Sequence, residues 1–182
     1  MIIYIFLSKW QRKTVLVRKM DIILHNLKII LLSLLYLFAV ILILLDQASK
    51  YFFGSFLANK TISIIGDFVS LRITNNTGIA FSLPIEGLIL KLITIWLIAA
   101  IGWYYFQHEK HRDKTLVQAA YTLILSGAIS NGIERVFFGK VVDFIAVKYF
   151  AIFNFADIFI SVGAILLFFF YYSYERNTKH HK

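Results

Sequence analysis

The stretch from Val141 to Tyr174, VVDFIAVKYFAIFNFADIFISVGAILLFFFYYSY, holds two aspartates, Asp143 and Asp157, in a largely apolar run. Asp157 stands directly before the uncharged segment Ile158 to Tyr174. A segment of that kind is long enough to cross the hydrocarbon core of a bilayer, which takes about 17–25 residues. A carboxylate at the mouth of such a helix is costly, and marks a functional site by default. The reading of the whole chain follows from whether the remainder supplies a membrane scaffold around these two acids.

Composition agrees with a membrane scaffold. Of the 182 residues 59% are hydrophobic and only 16% charged, against about 45–50% apolar in a typical soluble domain. The net charge of +9 reads as loop bias on the cytoplasmic side and attraction to anionic lipid. No Lys/Arg cluster suited to nucleic acid is found. The chain has no cysteine, which excludes disulfides, thiolate metal sites and cysteine nucleophiles.

Three further apolar segments lie upstream: Ile29 to Leu45, Gly87 to Phe106 and Thr115 to Ile133. Lys91 lies near the start of the second, where its stem can snorkel to the interface. Trp96, Trp103, Tyr104 and Tyr105, then Tyr171, Tyr172 and Tyr174, are candidate interfacial aromatics. Most of the lysines and arginines fall in three places: the flank from Lys9 to Lys28, the loop from Lys110 to Lys114, and the tail from Arg176 to Lys182. The positive-inside rule puts these on the cytoplasmic side. The expected fold is a membrane all-α protein of four transmembrane helices with both termini cytoplasmic. Residues 1–28 form a basic flank, in which Met20 is a possible second start; residues 29–174 form one membrane domain, and 175–182 a cytoplasmic tail.

The first outer segment, about 50–86, is long for a connector. Thr61–Ile65 and Phe68–Ile73 are β-branched and partly alternating, with Gly66-Asp67 between them, and Asn75-Asn76-Thr77-Gly78 is a turn signal. A small extracytoplasmic β-cradle between helices 1 and 2 is expected, with the chain re-entering the membrane after Pro84.

Polar residues gather at the outer ends of the spans. Asp46 and Lys50 are four apart and share a helix face; taken alone, the motif is better read as a helix-end ion pair that sets membrane depth. Gly78 frees the backbone after Asn76, as an ordinary turn before a membrane re-entry requires. In Gly127-Ala128-Ile129-Ser130-Asn131-Gly132-Ile133-Glu134-Arg135, the small residues suit close helix packing. Asn131 and Arg135 share a face, and Arg135 has the geometry to hold a carboxylate in a bidentate grip. Asn154 with Asp157 three residues on resembles a capping box. Asp143 has no such local reason, and burial between Val142 and Phe144, in an apolar loop, would raise its pKa. Two carboxylates, one in an environment that favours the anion and one that favours the acid, are what a shared-proton pair of the aspartic-peptidase kind needs. His108, His111, His180 and His181 are read as solvated, so no metal site is assigned.

In order, the motifs are D-Q-x-S-K from Asp46, N-x-G-x-A-F-S from Asn76, G-A-x-x-N-x-x-E-R from Gly127, V-V-D-F to Phe144 and F-N-x-A-D to Asp157. This series resembles the bacterial lipoprotein signal peptidases, the type II signal peptidases. The resemblance implies a membrane aspartic endopeptidase that cuts a prolipoprotein just before a diacylglyceryl-modified cysteine, in the bacterial cytoplasmic (inner) membrane, with its site at the outer face. It implies Asp143 and Asp157 as the catalytic dyad, and Asp46, Lys50, Asn76, Gly78, Gly127, Asn131, Glu134, Arg135 and Asn154 as substrate-binding or supporting residues. Glu134 departs from the family pattern, which commonly has Asp there. The implied partners are the prolipoprotein and membrane lipid, with no cofactor, metal or nucleic acid. Asn131 and Arg135 would orient Asp143 or hold substrate carbonyls. Two other readings stand beside this one. A Ser/Lys peptidase would use Ser49 or Ser82 with Lys50; a small proton-coupled transporter would use the interfacial acids.

Overall fold

The computed structural model describes residues 2–57, 60–78, 87–109 and 114–179, with side chains from 18 to 173 within them. Helix α1 runs Ile2–Leu57; strands β1 (Ile62–Ile65) and β2 (Val69–Asn76) follow; α2 is Gly87–Tyr104, continued by a π-helical turn Tyr105–Glu109. After α3 (Thr115–Phe138) come β3 (Val141–Val147), β4 (Ala151–Phe153) and α4 (Phe155–Lys179). Four of these helical segments are long and apolar enough to cross a membrane: Arg18–Leu57, Gly87–Glu109, Thr115–Phe138 and Phe155–Ser173. The chain divides into two compact units, Met1–Leu37 and Phe38–Lys182. The first is helix throughout its described part; the packing and the site below belong to the second.

The spans extend beyond the apolar runs at several ends. Helix α1 continues through Lys50 to Leu57, so Lys50 is a helical residue and does not open an extended outer segment. Helix α3 continues past Ile133 to Phe138, where Gly139 in the left-handed region (φ 71°) stops it, its N–H donating to Arg135 O at 3.1 Å. Glycine carries no Cβ penalty in that conformation, hence its use as a helix stop. Lys91 reaches the same helix end, donating from Nζ to Val136 O at 3.0 Å.

The sheet corrects one expectation. It has four antiparallel strands in the order β1-β2-β3-β4, so half of its strands come from the connection between α3 and α4, and not only from residues 50–86. Asp143, expected in an apolar loop, lies on β3, with Thr74 of β2 as its register partner. The apolar run Val141–Val147 became a strand because it is β-branched and aromatic, and it turns back through Lys148–Phe150, where Tyr149 takes a positive φ of 64°. The re-entry after Pro84 falls outside the described residues.

Burial is inverted relative to a soluble domain. Buried side chains include Asp46, Lys50, Ser126, Ser130, Asn131, Glu134, Asp143 and Asn154, while Leu88, Ile89, Leu92, Trp96, Ile165, Phe168 and Phe169 are exposed on α2 and α4. That is the distribution expected of helices facing lipid around a polar interior. An apolar cluster of Tyr105, Val117 and Tyr121 packs with Ile101, Leu167 and Phe170.

Helices α3 and α4 make the most extensive helix–helix contact, and small residues allow it. A Cβ on Gly163 would lie 2.6 Å from Ala120 O and 2.7 Å from Ile124 Cγ1; one on Gly127 would lie 2.8 Å from Ile160 Cγ1 and collide with Ala156 O. Gly163→Val is therefore expected to destabilise by about 1–3 kcal/mol through overpacking. Gly102→Ala, where nothing lies within 4 Å, should be neutral or stabilising by up to about 1 kcal/mol. Thermal unfolding of both variants in the same detergent gives the comparison; equal midpoints would count against close α3–α4 packing as the reason for the glycine.

Candidate active site

The site is assembled from the C-terminal part of α1, the end of β2, the C-terminal half of α3, strand β3 and the first turn of α4 with its cap. Its base is the Lys50 ammonium, 4% exposed. Lys50 Nζ lies 2.7 Å from Asp46 Oδ2 and 2.6 Å from Glu134 Oε2, and donates to Asn131 Oδ1 at 2.8 Å. An ammonium has three N–H donors; one is given to Asn131, and the two carboxylates lie at ion-pair distance, Glu134 Oε2 without hydrogen-bond geometry. The Asp46–Lys50 pair is thus no helix-end ion pair at a wet surface, because both residues are buried and both are tied to α3.

Asp46 is fully buried and connects three elements. Its Oδ2 also accepts from Ser130 Oγ at 2.7 Å, and its Oδ1 accepts from the backbone N–H of Ala156 at 2.9 Å. Gln47 donates from Nε2 to Ser130 O at 3.0 Å and Ser130 Oγ at 2.9 Å. Gln47 and Ser130 were not among the sequence candidates. Their signal was adjacency, since one follows Asp46 and the other precedes Asn131.

The two acids of the opening stretch are held by the same residue. Asn154 donates from Nδ2 to Asp143 Oδ1 at 2.7 Å, and from its backbone N–H to Asp157 Oδ2 at 3.1 Å. Asp157 N–H donates in return to Asn154 Oδ1 at 3.1 Å, which completes a reciprocal cap at the start of α4. The second oxygen of each carboxylate has its own amide: Asn76 Nδ2 donates to Asp143 Oδ2 at 3.1 Å, and Asn131 Nδ2 donates to Asp157 Oδ1 at 2.9 Å. Asn131 therefore braces Asp157, and Asn154 and Asn76 brace Asp143, where the sequence had suggested Asn131 for Asp143. Asn154 Nδ2 also lies 3.2 Å from Asn131 Oδ1, so the amides form a chain back to Lys50. Gly78 N–H donates to Asn76 Oδ1 at 3.1 Å, fixing which end of that amide faces Asp143.

Asp143 is raised from 3.8 to about 6. Burial is the main cause, and the negative charge of Asp157 adds to it; the hydrogen bonds from Asn76 and Asn154 and the charge of Lys50 oppose it. The pair therefore keeps a proton well above the usual carboxylate range.

Some expectations are not met by the geometry. Arg135 makes no ion pair with a carboxylate among the described residues, and its Nε is buried without a hydrogen-bond partner. Ser49 Oγ donates to Asp46 O at 2.7 Å, while Lys50 is engaged by its three partners; no Ser49–Lys50 pair exists. Ser82 lies outside the described residues. Among the described residues no group of three or more His, Cys, Asp or Glu side chains could hold a metal.

A sequence family described as signal peptidase (SPase) II matches residues 38–173. The chain is 38% identical over 141 residues to the lipoprotein signal peptidase of Fusobacterium nucleatum subsp. nucleatum, covering 74% of this chain and 84% of that one. It is 37% identical over 140 residues to that of Pseudomonas syringae pv. tomato, covering 70% and 79%. Among solved structures, a bacterial membrane enzyme determined by the in meso method superposes with a TM-score of 0.66 at 27% identity, over 82% of this chain and 92% of that one.

The buried charge cluster makes its own prediction. Lys50→Met leaves Asp46 and Glu134 without their cation, and is expected to cost about 3–5 kcal/mol, the usual penalty for removing one partner of a buried pair. Lys50→Met/Glu134→Gln should recover part of that loss. Chemical unfolding of the wild type, both single variants and the double variant closes the cycle; strict additivity would mean that the 2.6 Å contact carries no coupling.

Proposed function

Since the chain belongs to the signal peptidase II family, we propose that Asp143 and Asp157 carry out the hydrolysis that removes signal peptides from prolipoproteins. The observation that carries this assignment is Asn154, which donates to a carboxylate oxygen of each aspartate and so keeps both acids on one side of the site. Asp143, raised to about 6, holds the shared proton. Asp157, anchored in the helix cap, is the base.

The proposed reaction runs in two steps through a tetrahedral intermediate, with water as the nucleophile and no bond formed to the protein. Asp157 takes a proton from a water between the carboxylates, and the water oxygen attacks the scissile carbonyl carbon. Asp143 donates its proton toward the developing oxyanion; on collapse the C–N bond breaks, the leaving amine takes from Asp157 the proton that came from water, and the hydroxyl of the intermediate returns its proton to Asp143. Asn76, Asn131 and Asn154 set the orientation of the carboxylates, and Asp46, Lys50 and Glu134 hold Asn131 and the start of α4 in place. In this reading the substrate carries a diacylglyceryl cysteine at the cut. Its acyl chains lie against the exposed apolar helix faces, and the scissile bond comes to the outer surface of the cytoplasmic membrane. The lysine and arginine bias of the loops supports both termini on the cytoplasmic side.

Asp143→Asn and Asp157→Asn are each expected to lower cleavage of a diacylglyceryl prolipoprotein by at least about 10²–10⁴-fold, the range associated with one acid–base group. Parental rates in either purified variant would remove the dyad assignment.

The pH profile is a separate check. Because the active form keeps a proton on Asp143, kcat/KM should fall as pH rises through about 6. The limb in kcat should lie higher, since bound substrate adds burial. Asn76→Ala removes a hydrogen bond that favours the anion. It should move the alkaline limb of kcat/KM upward by about one pH unit, one unit being 1.36 kcal/mol, within the range for a hydrogen bond to a charged group. A downward shift would reassign the proton.

A further inference from the structure

The two hairpin tips of the sheet lie side by side: Val69 pairs with Val147, and Lys148 N–H donates to Phe68 O at 2.9 Å. Beside them is a cavity of about 380 Å³ lined by Thr61, Ser63, Asp67, Ser70, Arg72 and Lys148, among others. That volume falls in the range of small-molecule sites. Ser63, Ser70 and Ala146 are register partners across three strands, so their side chains share one sheet face. Strand alternation puts Asp143, three residues from Ala146, on the other face. The cavity is therefore separate from the dyad.

Its chemistry suits a phosphodiester. Four hydroxyl-bearing residues (Thr61, Ser63, Ser70 and Tyr149) and two cations line it, against one carboxylate, Asp67. The Arg72 guanidinium has no ion pair or hydrogen bond among the described residues, and Lys148 Nζ rests only 5.3 Å above the Tyr149 ring. Around the cavity the tips expose apolar and aromatic side chains: Tyr149 is 93% exposed and Phe150 76%, with Ile64, Ile65 and Phe68 each more than half exposed. An apolar, aromatic rim next to unpaired cations is the pattern of an interfacial anchor, in which rings enter the headgroup layer and basic groups meet anionic lipid.

We propose that this cavity binds the phosphodiester headgroup of an anionic phospholipid, with the tips of the β1–β2 and β3–β4 hairpins seated in the interfacial layer. The bound lipid would fix the far end of β3, the strand that carries Asp143.

The test uses the full chain, purified and delipidated, then exposed to an equimolar mixture of phosphatidylglycerol and phosphatidylcholine in detergent. Native mass spectrometry reads the ratio of the two lipids retained. The wild type should favour phosphatidylglycerol by about fivefold or more, the scale of one basic residue at an anionic surface. Arg72→Gln/Lys148→Gln should bring the ratio close to that of general surface attraction, and Ser70→Val, which changes no charge, should lower it as well. Lys60→Gln, basic but outside the lining, should leave it unchanged. Phe68→Ser/Phe150→Ser should reduce retention of either lipid. The proposal is overturned if Arg72→Gln/Lys148→Gln keeps the wild-type ratio, if Lys60→Gln lowers it as much, or if free glycerol 3-phosphate displaces phosphatidylglycerol at equal concentration. The last result would point to a soluble phosphate compound. Each variant is first matched to the wild-type thermal transition, which peptidase activity does not enter.

Discussion

A buried ammonium must have its charge compensated, and that requirement at Lys50 sets the arrangement of the helices around the site. Burying one charge without partners costs several kcal/mol, so α1 near Lys50 and α3 near Asn131 and Glu134 have little freedom of approach. Its three partners, two carboxylates and one amide oxygen, come from two helices. One of them, Asn131, passes the constraint on to Asp157. Asp46 passes it to α4 through the Ala156 N–H. Packing of apolar side chains adds little here, because in a bilayer the lipid is as apolar as the helix faces. Polar contacts and close α3–α4 packing at glycine take over the role that a hydrophobic core has in water.

The same constraint explains the tolerance for Glu134. A longer side chain than Asp in this position has a cation within reach at 2.6 Å, and the helix carrying it does not have to come closer to α1.

Much of this could be read from the chain. The four spans follow from long apolar runs, one of them with a lysine near its start, and the β1–β2 hairpin from alternation around Gly66-Asp67. Strands β3 and β4 were hidden because a short apolar run next to a membrane span has no clear period, and nothing local says that β2 will pair with a strand some 70 residues on. Asp143, Asp157, Asn154, Asn131, Asn76, Asp46 and Lys50 were visible as polar residues in apolar surroundings, and the structure brings these together. Their pairings were not visible. Which amide braces which aspartate depends on rotation of α3 about its axis, and Arg135, on the same helix face as Asn131 by spacing, points where no described carboxylate meets it. Ser130 was read as a small packing residue because a serine in a membrane helix commonly is one; only the approach of α1 turns its hydroxyl toward Asp46.

The double grip of Asn154 carries a consequence for motion. Asn154 stands immediately before α4 and caps its first turn, and that cap is also what orients both aspartates. Helix ends open locally at far lower free energy than a whole bundle. If this turn frays, Asp157 loses its cap and Asp143 loses an amide in the same event. The two carboxylates are then ordered or released together. On warming, the geometry of the pair would be lost as a local transition at one helix end, while α3 and α4 remain packed along their small residues.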